Sequence, residues 1–183
     1  MWQHHLKKNM IQILDNFFDQ KDFEILQNYA SSNISYEPRY FKGTKEKTDE
    51  NTYGFRHEIA SNKQLVAKFL NQIEKKYNIT VKSFGTDSGI DKRKLTLFKP
   101  HTDTGKLNFF LMIIGPQSLN NGLCIYTNNS IDTHIGFLEN RAVLFPSNIL
   151  HTPSVSEDKK TWRTIATIFI HDYEYKITKT DIR

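Results

Sequence analysis

The chain has 183 residues, a net charge of +5 and a single cysteine, so it is long enough to bury a core and Cys124 excludes an intrachain disulfide framework, which fits a reducing cytoplasm. No apolar run reaches the length of a membrane span and no signal-peptide core follows Lys7-Lys8, so the expectation is a soluble, cytoplasmic protein with no membrane partner. The basic residues at 42–47, Asp91-Lys92-Arg93-Lys94 and Lys159-Lys160 are mixed with or flanked by acids, and none forms a stripe suited to nucleic acid.

Ile11 to Leu14 reads as a short strand, and Asp19 as the N-cap of a helix whose Phe23, Leu26 and Ala30 share one face. Residues 31–57 are polar yet carry Tyr36, Tyr40, Phe41, Tyr53 and Phe55. Aromatics in a polar loop gain most by closing on a ligand, so the expectation is a flap over residues 36–57. Ser61-x-x-Gln64 predicts a capping box for a second helix, with an apolar stripe of Leu65, Val66, Phe69, Leu70, Ile73 and Tyr77.

From Ile79 onward the period changes to two. Short segments at 79–84, 93–98, 107–114, 122–126, 142–145 and 163–170 predict strands separated by Gly, Pro and Asn turns, at the spacing of a jelly roll or sandwich. Helices first and strands afterwards make the class α+β. One domain is expected over 1–183, with a helical part at about 15–78 and a jelly-roll core at about 79–176, the helices packing on one sheet.

Within this region Lys99-Pro100-His101-Thr102-Asp103 places an imidazole and a carboxylate two residues apart. On an extended chain both face one side and can converge on a cation such as Fe(II), Mn(II) or Zn(II). A lone H-x-D is a weak signal in a chain with seven histidines. Leu144-Phe145-Pro146-Ser147-Asn148-Ile149-Leu150-His151 supplies a second imidazole after a Pro turn, and Arg163 opens the alternating run to Ile170. Arg163 starts a strand too apolar on both faces for open solvent. Its guanidinium therefore needs an anion, either a carboxylate ligand or the neighbouring Glu157 or Asp158. His57, His134 and His171 lack partners at ligand spacing.

The order H-x-D, distal His and strand-borne Arg resembles the Fe(II)/2-oxoglutarate-dependent dioxygenases, nearest to their prolyl-4-hydroxylase-like branch. Asn121-Gly122-Leu-Cys-Ile-Tyr126 is similar to that branch's Gly-Gly-x-Leu strand, and Glu139-Asn140-Arg141 through Pro146-Ser147 to its Asn-Arg-hydrophobic-Phe-Pro segment. Leu95-Thr96-Leu97-Phe98 stands where the branch often has a tyrosine.

The resemblance implies a double-stranded β-helix of the cupin-like jelly-roll type. Fe(II) would be held by His101, Asp103 and His151, the catalytic triad, and the 2-oxoglutarate C5 carboxylate by Arg163, with O2 as the other co-substrate. Thr167 is a secondary candidate for the co-substrate pocket, equally suited to core packing, while Asn108 and Tyr126 could orient co-substrate or substrate, with core hydrogen bonding the favoured role of each. The implied activity is hydroxylation of a C–H bond in a peptide-like or small polar substrate, with release of succinate and CO2. The alternatives are a cupin-like metal-binding protein that is no oxygenase and a nucleic-acid-modifying dioxygenase. Phe169 weighs against the latter, because the nucleic-acid-repair branch typically has a second Arg there.

Overall fold

The fold is described from a computed structural model for residues 11–40, 45, 52–94, 99–154 and 162–176. Its elements are β1 (Gln12–Leu14), α1 (Gln20–Ser31), β2 (Glu37–Tyr40), β3 (Thr52–Glu58), α2 (Lys63–Tyr77), β4 (Ile79–Phe84), β5 (Gly89–Lys94), β6 (Leu107–Ile114), β7 (Ser118–Thr127), β8 (Ser130–Phe137), β9 (Ala142–Pro146), β10 (His151–Pro153) and β11 (Trp162–Tyr175).

Helix α1 starts where Asp19 accepts a bond from the Asp22 amide at 2.8 Å, and it buries Phe23, Leu26 and Ala30. The start of α2 is one residue later than the Ser61 capping box predicts. Asn62 is the N-cap, its Oδ1 accepting from the Leu65 amide at 3.1 Å. The amide side chain does the capping work of the expected hydroxyl. Asn78 ends α2 in the left-handed region at φ 54°, turning the chain directly into β4.

The strands form two sheets. The larger has eight strands in the order β1-β9-β6-β11-β5-β3-β2, with β4 joining β11, and the smaller runs β10-β7-β8. β11 is the spine: β6 covers one edge from Thr164 to Ile170, while β5 and then β4 share the other edge. Residues 163–170 of β11 are buried throughout because both faces are covered. Ala166, Ile168 and Ile170 meet the helices in a core with Phe17, Phe69, Ile73 and Phe109. On the other face Ile165 joins Met112, Leu123, Ile125, Phe137 and Phe145 in a second core between the sheets. Two cores on the two faces of one sheet are what lets the inner face carry a pocket while the outer face supplies burial.

Three expectations change. The 36–57 segment is in part sheet, because β2 and β3 pair as an antiparallel hairpin that extends the larger sheet beyond β5. Their aromatics, Tyr40, Tyr53 and Phe55, therefore lie on strands, Tyr36 just before β2 donates from Oη to the Ala30 carbonyl at 2.8 Å, and Phe41 lies outside the described residues. The helical part about 15–78 thus contains sheet as well. The expected strand at 93–98 is displaced to Gly89–Lys94, with 95–98 outside the described residues.

Candidate active site

His101 and His151 face each other across an isolated antiparallel bridge, each amide donating to the other's carbonyl at 2.9 Å. That pairing brings the imidazoles together, with ring centroids 4.6 Å apart. Asp103 is pinned by its own amide, which donates to the Ser147 carbonyl at 3.0 Å. Its Oδ2 lies 3.2 Å from Nε2 of His151 and its Oδ1 lies 3.8 Å from Nε2 of His101, and one ligand atom from each residue falls within 4.8 Å of the others.

The tautomers follow from the carbonyls behind the rings. Nδ1 of His101 is 3.1 Å from the Lys99 oxygen, and Nδ1 of His151 is 2.9 Å from the Ile149 oxygen. A carbonyl can only accept, so each Nδ1 keeps the proton and each Nε2 presents a lone pair to the centre. Burial lowers the pKa of His101, which keeps that ring neutral. Burial alone would raise Asp103, but the His151 and His101 rings and the Asn108 amide outweigh it and hold the carboxyl below its usual range. Two imidazole Nε2 atoms and one carboxylate, converging and already oriented, fit a divalent cation of the Fe(II), Mn(II) or Zn(II) kind.

From this cluster a pocket runs between the sheets, lined by His101, His151, Phe110, Met112, Leu123, Phe137, Ile165 and the guanidinium-bearing Arg93 and Arg163. Arg163 is 4% exposed, and its Nη1 donates to the Gly122 carbonyl at 2.8 Å and to Asn121 Oδ1 at 3.2 Å. Both acceptors are neutral. Nε is buried with no hydrogen-bond partner among the described residues. Burial, with Arg93 across the ladder adding repulsion, pulls the guanidinium down to about 9. The Nε edge of a guanidinium is the one that grips a carboxylate side-on. Glu157 and Asp158, the sequence-adjacent competitors for Arg163, lie outside the described residues.

The three secondary candidates do not line this pocket. Asn108 is buried behind the cluster, donating from Nδ2 to Asp103 Oδ2 at 2.7 Å and accepting from Ser147 Oγ at 3.0 Å, so it orients the Asp103 carboxylate. Thr167 shares the Arg163 face, but its hydroxyl donates to Asp91 Oδ2 at 3.4 Å. Tyr126 follows Ile125, which fills the inter-sheet core, and stays outside the lining. His57 is tied between Tyr29 Oη at 2.9 Å and the Ser35 carbonyl at 2.8 Å, away from the cluster.

Sequence reasoning missed the charged wall beside the pocket. Arg56 on β3 grips Asp91 on β5 through Nε at 2.7 Å and Nη2 at 2.9 Å, and Arg93 Nη2 approaches the same carboxylate at 3.4 Å. The ladder places Arg56 beside Asp91, Asp91 beside Ile165, and Arg93 beside Arg163, all on one face. The available signal was Asp91-x-Arg93, which has the period of a strand but read as a surface charge cluster.

No family model matches the sequence, and no curated protein matches it. Solved structures do match the fold. A prolyl hydroxylase from Trichoplax adhaerens, in complex with a hypoxia inducible factor peptide fragment, has a TM-score of 0.62 at 12% identity, covering 91% of this chain and 86% of that one. A Pseudomonas putida prolyl-4-hydroxylase has a TM-score of 0.60 at 11% identity, with 90% and 95% covered. The non-heme alpha ketoglutarate dependent epimerase SnoN from nogalamycin biosynthesis has a TM-score of 0.64 at 6% identity, with 94% and 81% covered. The chain therefore has the double-stranded β-helix seen in 2-oxoglutarate/Fe(II) oxygenases, the fold class expected from its sequence. Among the described residues no helix is long and apolar enough to cross a membrane.

Proposed function

We propose that this chain is a single-domain, cytoplasmic Fe(II)- and 2-oxoglutarate-dependent oxygenase that hydroxylates a C–H bond of a peptide-like or small polar substrate. The observation that carries the reading is the pairing, in one pocket, of a His-Asp-His cluster with a buried guanidinium whose Nε edge has no partner among the described residues. A site for metal alone needs no such guanidinium.

On this reading His101, Asp103 and His151 hold the metal, and Arg163 takes the C5 carboxylate of 2-oxoglutarate. Iron, when bound, supplies the activation of O2 that couples conversion of 2-oxoglutarate to succinate and CO2 with oxidation of the substrate. The residues of the chain do the positioning. Phe110, Met112, Phe137 and Ile165 exclude water along the co-substrate, which strengthens the Arg163 contact by lowering the local dielectric. Asn108 and Ser147 fix the carboxylate, and the Lys99 and Ile149 carbonyls fix the rings. His101 is the more open ligand, its side chain 40% exposed against 2% for His151, so substrate approaches over His101.

The hypoxia inducible factor peptide fragment and the nogalamycin RO named in complex with two of the structural neighbours support a peptide-like or small-molecule substrate class. Phe169 supports the choice against nucleic acid: it stacks under Arg56, 5.8 Å from the guanidinium carbon, on the inner face.

The test is anaerobic addition of Fe(II) and then 2-oxoglutarate to the full chain, followed by O2 and a screen of peptides and small polar compounds for stimulated succinate release. The expected result is a visible charge-transfer band that Asp103→Ala abolishes, with succinate release above the uncoupled rate for one compound class. A chain that takes up Fe(II) but gives neither a band nor succinate would refute the oxygenase reading in favour of a metal-binding module.

A further inference from the structure

We infer that Arg93 is a second guanidinium arm for the co-substrate's distal carboxylate, closing on it from β5 while Arg163 grips it from β11. The inference rests on the oxygenase reading and extends it to a residue outside the His-Asp-His and Arg163 set.

Three observations carry it. Arg93 and Arg163 are register partners on neighbouring antiparallel strands, so their side chains leave the same face of the sheet side by side. Both line the one pocket that also holds His101 and His151. And Asp91, two residues back on the same face, steers Arg93: it accepts from Arg93 Nη2 at 3.4 Å, a long contact, while its two oxygens are already gripped by Arg56 at 2.7 and 2.9 Å.

Like charges set directly opposite on a ladder destabilise a sheet. Here Arg163 is buried and Arg93 half-buried on the wall of an apolar pocket, where repulsion is less screened than in open water. A carboxylate lodged between two guanidiniums relieves their repulsion and gains charge-assisted bonds from both. Asp91 cannot serve as that carboxylate for Arg163, because Arg56 binds it bidentately one register step away. The site thus recognises a dicarboxylate by its far end, and Arg93 is a positioning residue that contacts the co-substrate.

The experiment is calorimetric titration of 2-oxoglutarate into the anaerobic Fe(II)-loaded full chain, paired with the shift in melting temperature that 2-oxoglutarate induces. Arg93→Gln should weaken 2-oxoglutarate by about tenfold to a hundredfold and shrink the shift, as loss of one charge-assisted contact does, with Fe(II) affinity unchanged. Arg93→Lys keeps the charge without the fork and should fall between the two. If Arg93→Gln does not fold, Arg93→Lys decides, since an affinity at least about threefold below wild type supports the clamp and an equal one overturns it. Unchanged affinity and unchanged shift in Arg93→Gln would likewise overturn it, leaving the oxygenase reading intact. A wild-type chain that binds Fe(II) but shows no saturable 2-oxoglutarate binding would instead sink the reading beneath it.

Discussion

Replacing Arg56 with methionine removes two bonds to Asp91 and a third, at 2.7 Å, to the Asp87 carbonyl, and leaves a carboxylate whose side chain is only 2% exposed. What remains to it is Arg93 and the Thr167 hydroxyl, each at 3.4 Å. Stripping one partner from a buried pair costs about 3–5 kcal/mol, because the other charge stays buried. At about 2–4 °C per kcal/mol for a chain of this size, the melting temperature should fall by about 6–20 °C. The penalty also has a pH signature. Burial would raise Asp91, but Arg93 and Arg56 together hold it below the usual carboxylate value, so in the native chain the pair stabilises fully above about pH 4 and its contribution is lost as pH falls through the lowered folded value. In Arg56→Met burial wins and Asp91 favours its neutral form. The difference between the two proteins should therefore be full at pH 7 and shrink as pH falls towards about 4 and below it. Urea denaturation at pH 7, 5 and 4 measures it. A penalty under about 1 kcal/mol at pH 7, or one that does not change with pH, would refute the claim that a desolvated ion pair holds this wall.

Asn108→Ala should leave the chain folded but reduce metal affinity by about 10- to 100-fold, because Asp103 loses the donor that fixes its orientation. Titration with Mn(II) reads this directly, and an unchanged affinity would make Asn108 a core residue only. Gly122→Ala would place a Cβ 1.9 Å from the Ile135 carbonyl oxygen, forcing β7 from β8 and drawing the Gly122 carbonyl off Arg163. A loss of about 2–4 kcal/mol in urea denaturation is expected, and wild-type stability would contradict the pairing there.

The elements with a strong period were legible. The α1 and α2 stripes and the 107–114 and 163–170 runs announce themselves because burial on a face, or on both, imposes a pattern that survives any tertiary context. β2, β3 and β8 were not. Thr52 to Glu58 alternates, but its neighbours on the sheet are Asp91, Lys92 and Arg93, so the segment carries polar side chains on both faces and reads as loop. Ser130 to Phe137 pairs with β7 in a hairpin whose first residues are exposed, leaving no apolar run at its start. Asn62 displaced Ser61 as the cap of α2 because either side chain can accept the free amides, and the choice depends on backbone angles the sequence does not display.

The site shows the same division. His101, Asp103 and His151 stood out because metal ligation demands particular side chains at particular spacings, and Arg163 because a guanidinium inside an apolar strand contradicts its surroundings. The groups that orient them use ordinary residues. Asn108 is one polar position in a run of apolar ones, and its partners Asp103 and Ser147 reach it from two other segments. Asn121-Gly122 was legible as a family-like strand motif, but its contact with Arg163 depends on the smaller sheet folding over β11. Among the described residues the hydrogen-bond partners of Arg163 are both neutral. An acidic partner in place of Asn121 would satisfy Arg163 permanently, whereas an amide and a backbone carbonyl hold the guanidinium in position yet leave its positive charge for a ligand to neutralise. On the proposed reading, Asn121→Asp should weaken carboxylate binding at Arg163 and stabilise the ligand-free chain, measured by 2-oxoglutarate titration beside urea denaturation.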